Sequence, residues 1–135
     1  MRAEGTFGVV ASAPTDVVPT PAVSTAMQVG VMTMEKTYQG EIEGRSATLF
    51  TSAYDPAAGA GTYVALEAFE GSVGGRQGTF NFVHSATTSG ADRSHEFFLV
   101  VPSSGTGDLA GITGTGGLRI DGDGTHRVWF DYDLP

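Results

Sequence analysis

The chain has no cysteine, so neither a disulfide framework nor a thiolate metal site can form within it. Cationic residues are scarce as well. Seven Lys and Arg stand against fifteen Asp and Glu in 135 residues, for a formal net charge of −8, and they gather into no basic cluster. Phosphate backbones and anionic membrane surfaces are recognised through such clusters, so nucleic acid and membrane are not expected partners. No run approaches the ~18 uninterrupted apolar residues that a spanning helix needs. Met1-Arg2-Ala3-Glu4-Gly5 leads into a strand-like pattern without the apolar stretch of a leader peptide, and a cytoplasmic location is the expectation.

What is present describes a folded, turn-rich protein. Hydrophobic residues make up 40% of the chain and charged ones 16%, with twenty Gly and six Pro. Disordered chains lack this much Phe, Val and Leu. The length suits one domain over residues 1–135, since two would leave neither half an adequate core.

Short β-rich runs broken by Gly, Pro and Asp-Gly recur from end to end, which predicts an antiparallel meander. Period-two alternation or β-branched and aromatic enrichment places strands at residues 47–54, 62–70, 78–86, 94–101 and 126–134. Residues 6–11, 27–39 and 115–120 bring the number to eight. The glycine-bracketed segments Gly40–Gly44 and Gly71–Gly75 read as hairpin turns. Three prolines between Pro14 and Pro21 exclude a central strand; this stretch reads as a surface loop, with a lid as the alternative. Eight antiparallel strands must dispose of their exposed edges, and closing into a barrel does so. The predicted fold is therefore an all-β, eight-stranded closed barrel, with a β-sandwich as the alternative.

Inward-facing residues suggest a site. Tyr63, Ala65, Glu67 and Phe69 share one face of their strand. If the following turn pairs Phe69 with Phe80, then Glu67 opposes Phe82 and lies diagonal to His84. Pairing His84 with His95 would add His95 and Phe97, whereas a one-residue slip would present Glu96 and Phe98. Tyr132 faces inward on the last strand, and Trp129 faces outward, where it suits a subunit contact. A carboxylate among aromatic rings should have a raised pKa, so Glu67 and His84 are the candidate catalytic pair, for proton transfer. Phe69, Phe80, Phe82, His95, Phe97 and Tyr132 are the candidate ligand-binding residues. The alternative is a buried Glu–His pair that merely satisfies its own hydrogen bonds.

Other motifs carry less. The Gly-rich stretch Ser103–Gly111 lacks the Gly-Lys-Ser/Thr of a phosphate loop, and Asp121-Gly-Asp-Gly-Thr125 lacks the closing Glu of a calcium loop and reads as a hairpin turn. His84, His95 and His126 are scattered over three strands without metal-ligand spacing, so no metal and no cofactor is expected. No nucleophile elbow occurs.

The order and spacing of Met1-Arg-Ala-Glu-Gly-Thr-Phe7, Lys36-Thr-Tyr-Gln-Gly40, Gly44-Arg-Ser46, Glu67-Ala-Phe-Glu-Gly71, Gly75-Arg-Gln-Gly-Thr-Phe80, His84 and Ser104-Gly-Thr-Gly-Asp-Leu-Ala-Gly111 resemble the domain-of-unknown-function-3224 family over nearly the whole chain. The last segment is also similar to the Gly-Thr-Gly stretch of allene oxide cyclases and dirigent proteins. That resemblance implies an eight-stranded barrel with an interior pocket for a small apolar molecule, and a tendency to form homo-oligomers. Three readings follow: a cofactor-independent isomerase or cyclase using Glu67 and His84, a non-catalytic ligand carrier or sensor, and a structural oligomer whose interior is filled.

Overall fold

The computed structural model describes residues 1–135. Eight strands follow one another: β1 (Arg2–Pro14), β2 (Val29–Gly40), β3 (Ile42–Asp55), β4 (Ala60–Val73), β5 (Arg76–Ser89), β6 (Asp92–Val100), β7 (Thr113–Ile120) and β8 (His126–Asp133). Each pairs antiparallel with the next, and β8 returns to β1, where Ala3 faces Phe130, so the sheet is a closed barrel and not a sandwich. The only helical element is one short 3-10 turn at Gly107–Leu109, and no helix is long and apolar enough to cross a membrane. All eight predicted strands are present, several of them longer at both ends than their apolar pattern. The extra residues are held by ladder hydrogen bonds, which need no side-chain signature.

The β4–β5 hairpin has the predicted register: Phe69 faces Phe80 and Glu67 faces Phe82. Gly44 and Gly71 play a different part from the one their spacing suggests. They are not turn residues but partners in the β3–β4 ladder, both at positive φ (147° and 154°). A Cβ on Gly44 would lie 2.8 Å from the Gly71 Cα and would collide with the Glu70 carbonyl oxygen. Paired glycines of this kind let a sheet bend sharply enough to close. Gly44→Ala is accordingly expected to lower stability by about 1–3 kcal/mol through backbone strain, measurable as a shifted urea midpoint at unchanged slope.

The barrel interior is divided. At the end where β2 turns into β3, fourteen buried residues pack together, among them Ile42, Phe69, Phe80, Phe82, Phe98, Phe130 and Tyr132. The segment between β6 and β7 plugs this end. Leu109 and Ile112 insert with no exposed surface, and Thr106 Oγ1 is hydrogen-bonded to Thr79 Oγ1 at 2.6 Å. The Ser104–Gly111 motif is therefore the stopper of the filled half. Gly78 has no room for a Cβ because this loop crosses so close to β5, and Gly105 has none because the loop folds back on its own Leu109. Trp129 lies outside, as expected, but it packs over Gly117 and under the Arg2 guanidinium, 5.7 Å from the ring centroid, so neighbours within the chain account for its half-burial.

Candidate functional site

At the boundary between the filled half and the rest of the interior, β4 places Glu67 at 1% exposure beneath four donors. Oε1 accepts hydrogen bonds from the Tyr38 hydroxyl and from Ser46 Oγ (2.7 Å). Oε2 is bonded to Lys36 Nζ and His84 Nε2, each at 2.6 Å. These groups come from β2, β3, β4 and β5, and each points inward because its strand alternates. Beyond His84 the network continues. Its Nδ1 lies 2.9 Å from the Tyr63 hydroxyl, which accepts from Arg93 Nη2 at 2.9 Å, and Arg93 Nε donates to Glu96 at 2.9 Å. With the His84 proton assigned to Nε2, every bond has a donor and an acceptor: Nε2–H donates to Glu67, and the Tyr63 hydroxyl donates to Nδ1. No buried side-chain nitrogen or oxygen lacks a partner.

The electrostatics reverse one sequence-based expectation. Burial alone would raise the Glu67 pKa, but the His84 hydrogen bond and the Lys36 charge outweigh it and bring the pKa down to about 2. Sequence reasoning counted the aromatic rings around Glu67 and missed Lys36, Tyr38 and Ser46, which lie on strands 21 to 31 positions away. Their inward alternation was the available signal. The His84 pKa is lowered, chiefly by burial and further by the Lys36 and Arg93 charges, against the pull of Glu67. Burial raises the Tyr63 pKa.

Above this network the interior is open. A cavity of about 360 Å³ is walled by Phe7, Val9, Met32, Met34, Phe50, Tyr63 and Leu118, with Lys36, His84, Arg93, Ser52, Thr62, Thr88 and His126 among its polar lining. Phe50 stacks on Tyr63 at 4.8 Å between centroids, and Lys36 Nζ lies 4.9 Å from the centre of the Phe7 ring. No Asp or Glu lines the cavity, although such residues outnumber Lys and Arg twofold in the chain.

The predicted site residues are distributed unevenly around this cavity. His84 lines it, and Glu67 lies beneath it. Phe69, Phe80, Phe82 and Tyr132 face inward but belong to the packed half and do not line the cavity. His95 and Phe97 are outside the barrel, and Phe97 is 53% exposed. The cause is a bulge in β6. His84 pairs with Phe98, three residues beyond His95: the turn, which pairs Ser89 with Asp92, accounts for two of them, and a one-residue shift where His95 adopts a positive φ of 51° adds the third and turns Phe98 rather than Phe97 inward. That shift sends both Arg93 and Phe98 inward, on opposite sides of the bulge. The 15–28 loop contributes nothing to the cavity lining, and its Val17, Val18 and Val23 are exposed, which matches the surface-loop reading.

Comparison with known proteins agrees with this architecture. The model of a family described as protein of unknown function (DUF3224) matches residues 3–132. A search of curated proteins finds no match. Among solved structures, a protein with unknown function from the DUF3224 family of Shewanella oneidensis MR-1 is similar, with 32% sequence identity and a TM-score of 0.82. The match covers 100% of this chain and 98% of that one.

Proposed function

This chain belongs to the DUF3224 family, and we propose that it binds a small, mostly apolar molecule in the open half of its barrel, as a carrier or sensor. A structural barrel with a filled interior would be packed alike at both ends. This one is packed at one end and leaves about 360 Å³ at the other, within the usual range of small-molecule pockets and with an apolar lining made mostly of aromatic and methionine side chains. The isomerase reading, with Glu67 and His84 moving a proton, has weaker support. Both Glu67 oxygens are occupied by donors from the protein, and its affinity for a proton is depressed, which suits an anchor better than an acid or base. The Ser104–Gly111 segment, on which the sequence-based expectation of an allene oxide cyclase-like barrel rested, sits at the plugged end, away from the cavity, and assigns no chemistry to it.

A fluorescence titration with the neutral dye N-phenyl-1-naphthylamine tests the proposal. Saturable 1:1 binding is expected, and Ser52→Trp, which fills the cavity from β3, should weaken it at least about tenfold, or 1.4 kcal/mol. Absence of saturable binding, or binding indifferent to Ser52→Trp in a variant of unchanged circular dichroism, would refute it.

A further inference from the structure

We infer that the ligand of this cavity carries an oxyanion, such as a carboxylate or phenolate, on an otherwise apolar body, and that Arg93 with Lys36 receives that group. The inference rests on the binding proposal above and adds the ligand's polar chemistry. The nitrogen-bearing ionisable residues of the lining are Lys36, His84, Arg93 and His126, and the carboxylates that pair with Lys36 and Arg93, Glu67 and Glu96, lie outside the lining. In a chain of net charge −8 this segregation of charge is local and specific.

The hydrogen-bond inventory points the same way. Arg93 has five N–H groups and spends them on Glu96 and the Tyr63 hydroxyl alone, while Lys36 has three and gives one to Glu67. The remaining donors belong to residues that line the cavity. The acceptors nearby are consumed: Glu67 is saturated beneath the floor, and the Tyr63 hydroxyl already donates to His84 and accepts from Arg93. The cavity thus offers unspent cationic N–H groups, and besides them only hydroxyls such as those of Ser52 and Thr88, which can donate as well as accept. A wholly apolar ligand would strip water from those donors and give nothing back, whereas an oxyanion satisfies them with charge-assisted bonds. Arg93 is the better placed of the two cations, since its side chain keeps 15% exposure against 5% for Lys36 and its guanidinium lies 5.6 Å from the Tyr63 ring centroid at the cavity wall.

Decanoate and 1-decanol, which share an alkyl chain and differ at the head group, separate this inference from the one beneath it. Each is titrated against protein carrying bound N-phenyl-1-naphthylamine at pH 7.5 and low salt. The expected result is displacement by decanoate at a concentration at least tenfold lower than by 1-decanol, with the preference falling to within threefold in Arg93→Gln. Arg119→Gln, which removes an exposed cation outside the cavity, serves as a control that should keep the preference. Equal displacement by the two compounds, or tighter binding of the alcohol, overturns the oxyanion while leaving the apolar pocket standing. A preference untouched by Arg93→Gln overturns the role of Arg93. If the dye itself does not bind, both proposals fall.

Discussion

Glu67→Gln is expected to destabilise the barrel by about 3–5 kcal/mol, the range seen when one partner of a buried ion pair is removed. The carboxylate accepts from four groups, two at each oxygen. An amide in the same place has one oxygen to offer and turns two N–H donors toward what remains. At least two buried donors then lose their acceptor, and one of the four is the Lys36 ammonium, 5% exposed and with no other carboxylate in contact. Removing the charge that is left behind should recover part of the loss. Lys36→Met combined with Glu67→Gln is expected to fall short of the sum of the single effects by at least about 1 kcal/mol, since the double variant buries no orphaned charge. Urea unfolding of the four proteins measures this directly. A Glu67→Gln cost below about 1 kcal/mol would mean that the network is solvated and that Glu67 is not the anchor described above.

Acid should unfold this protein earlier than its surface charges alone would, and Glu67 should be the largest single contributor. Its pKa is about 2 in the folded state against an ordinary value of 4.5. A carboxylate depressed in this way lends stability that is fully present above the unfolded value and is lost as pH falls from about 4.5 through about 2, amounting to about 3 kcal/mol. His84 acts in the same sense at higher pH. It faces Glu67, Lys36, Tyr63 and Arg93, and burial keeps its pKa below the ordinary 6.5. The unfolded chain therefore takes up a proton there before the folded one does, and stability begins to decline as pH drops below about 6.5. Exposed carboxylates such as Asp121 and Asp131, whose pKa values are lowered chiefly by Arg127 and Arg2, add a shallower loss of the same sign. Unfolding free energies at pH 7, 5 and 3 for the wild type and Glu67→Gln isolate the buried term. The difference between the two proteins should shrink as pH falls below about 4.5, and a difference that stays constant or widens would contradict a depressed Glu67 pKa.

Much of the architecture is legible in the residues themselves. Tyr63, Ala65, Glu67 and Phe69 alternate on one face of β4, and the Gly71–Gly78 turn region brings Phe69 against Phe80, so the meeting of Glu67 and His84 follows from one hairpin. Local pairing across a short turn is the kind of contact that period and turn chemistry specify. The four partners of Glu67 were only partly legible. Alternation shows that Lys36, Tyr38 and Ser46 share inward faces, but their convergence on one carboxylate depends on the tilt and closure of β2 and β3. The expected rise in the Glu67 pKa failed for that reason.

The amino-acid sequence by itself pointed to a cysteine-free fold of eight antiparallel strands, a barrel ahead of a sandwich, with a carboxylate and an imidazole brought together by one hairpin, because strand period, turn residues and the need to hide edges are local or nearly local constraints; the return of β8 to β1 closed it. Only the tertiary structure decided which half of the interior is filled, that Phe98 and Arg93 and not Phe97 and His95 enter it, and that Glu67 is an anchored anion. A single bulge at His95 reverses the facing of every residue on one side of it relative to the other, and period-two alternation in β6 carries no mark of where that extra residue falls.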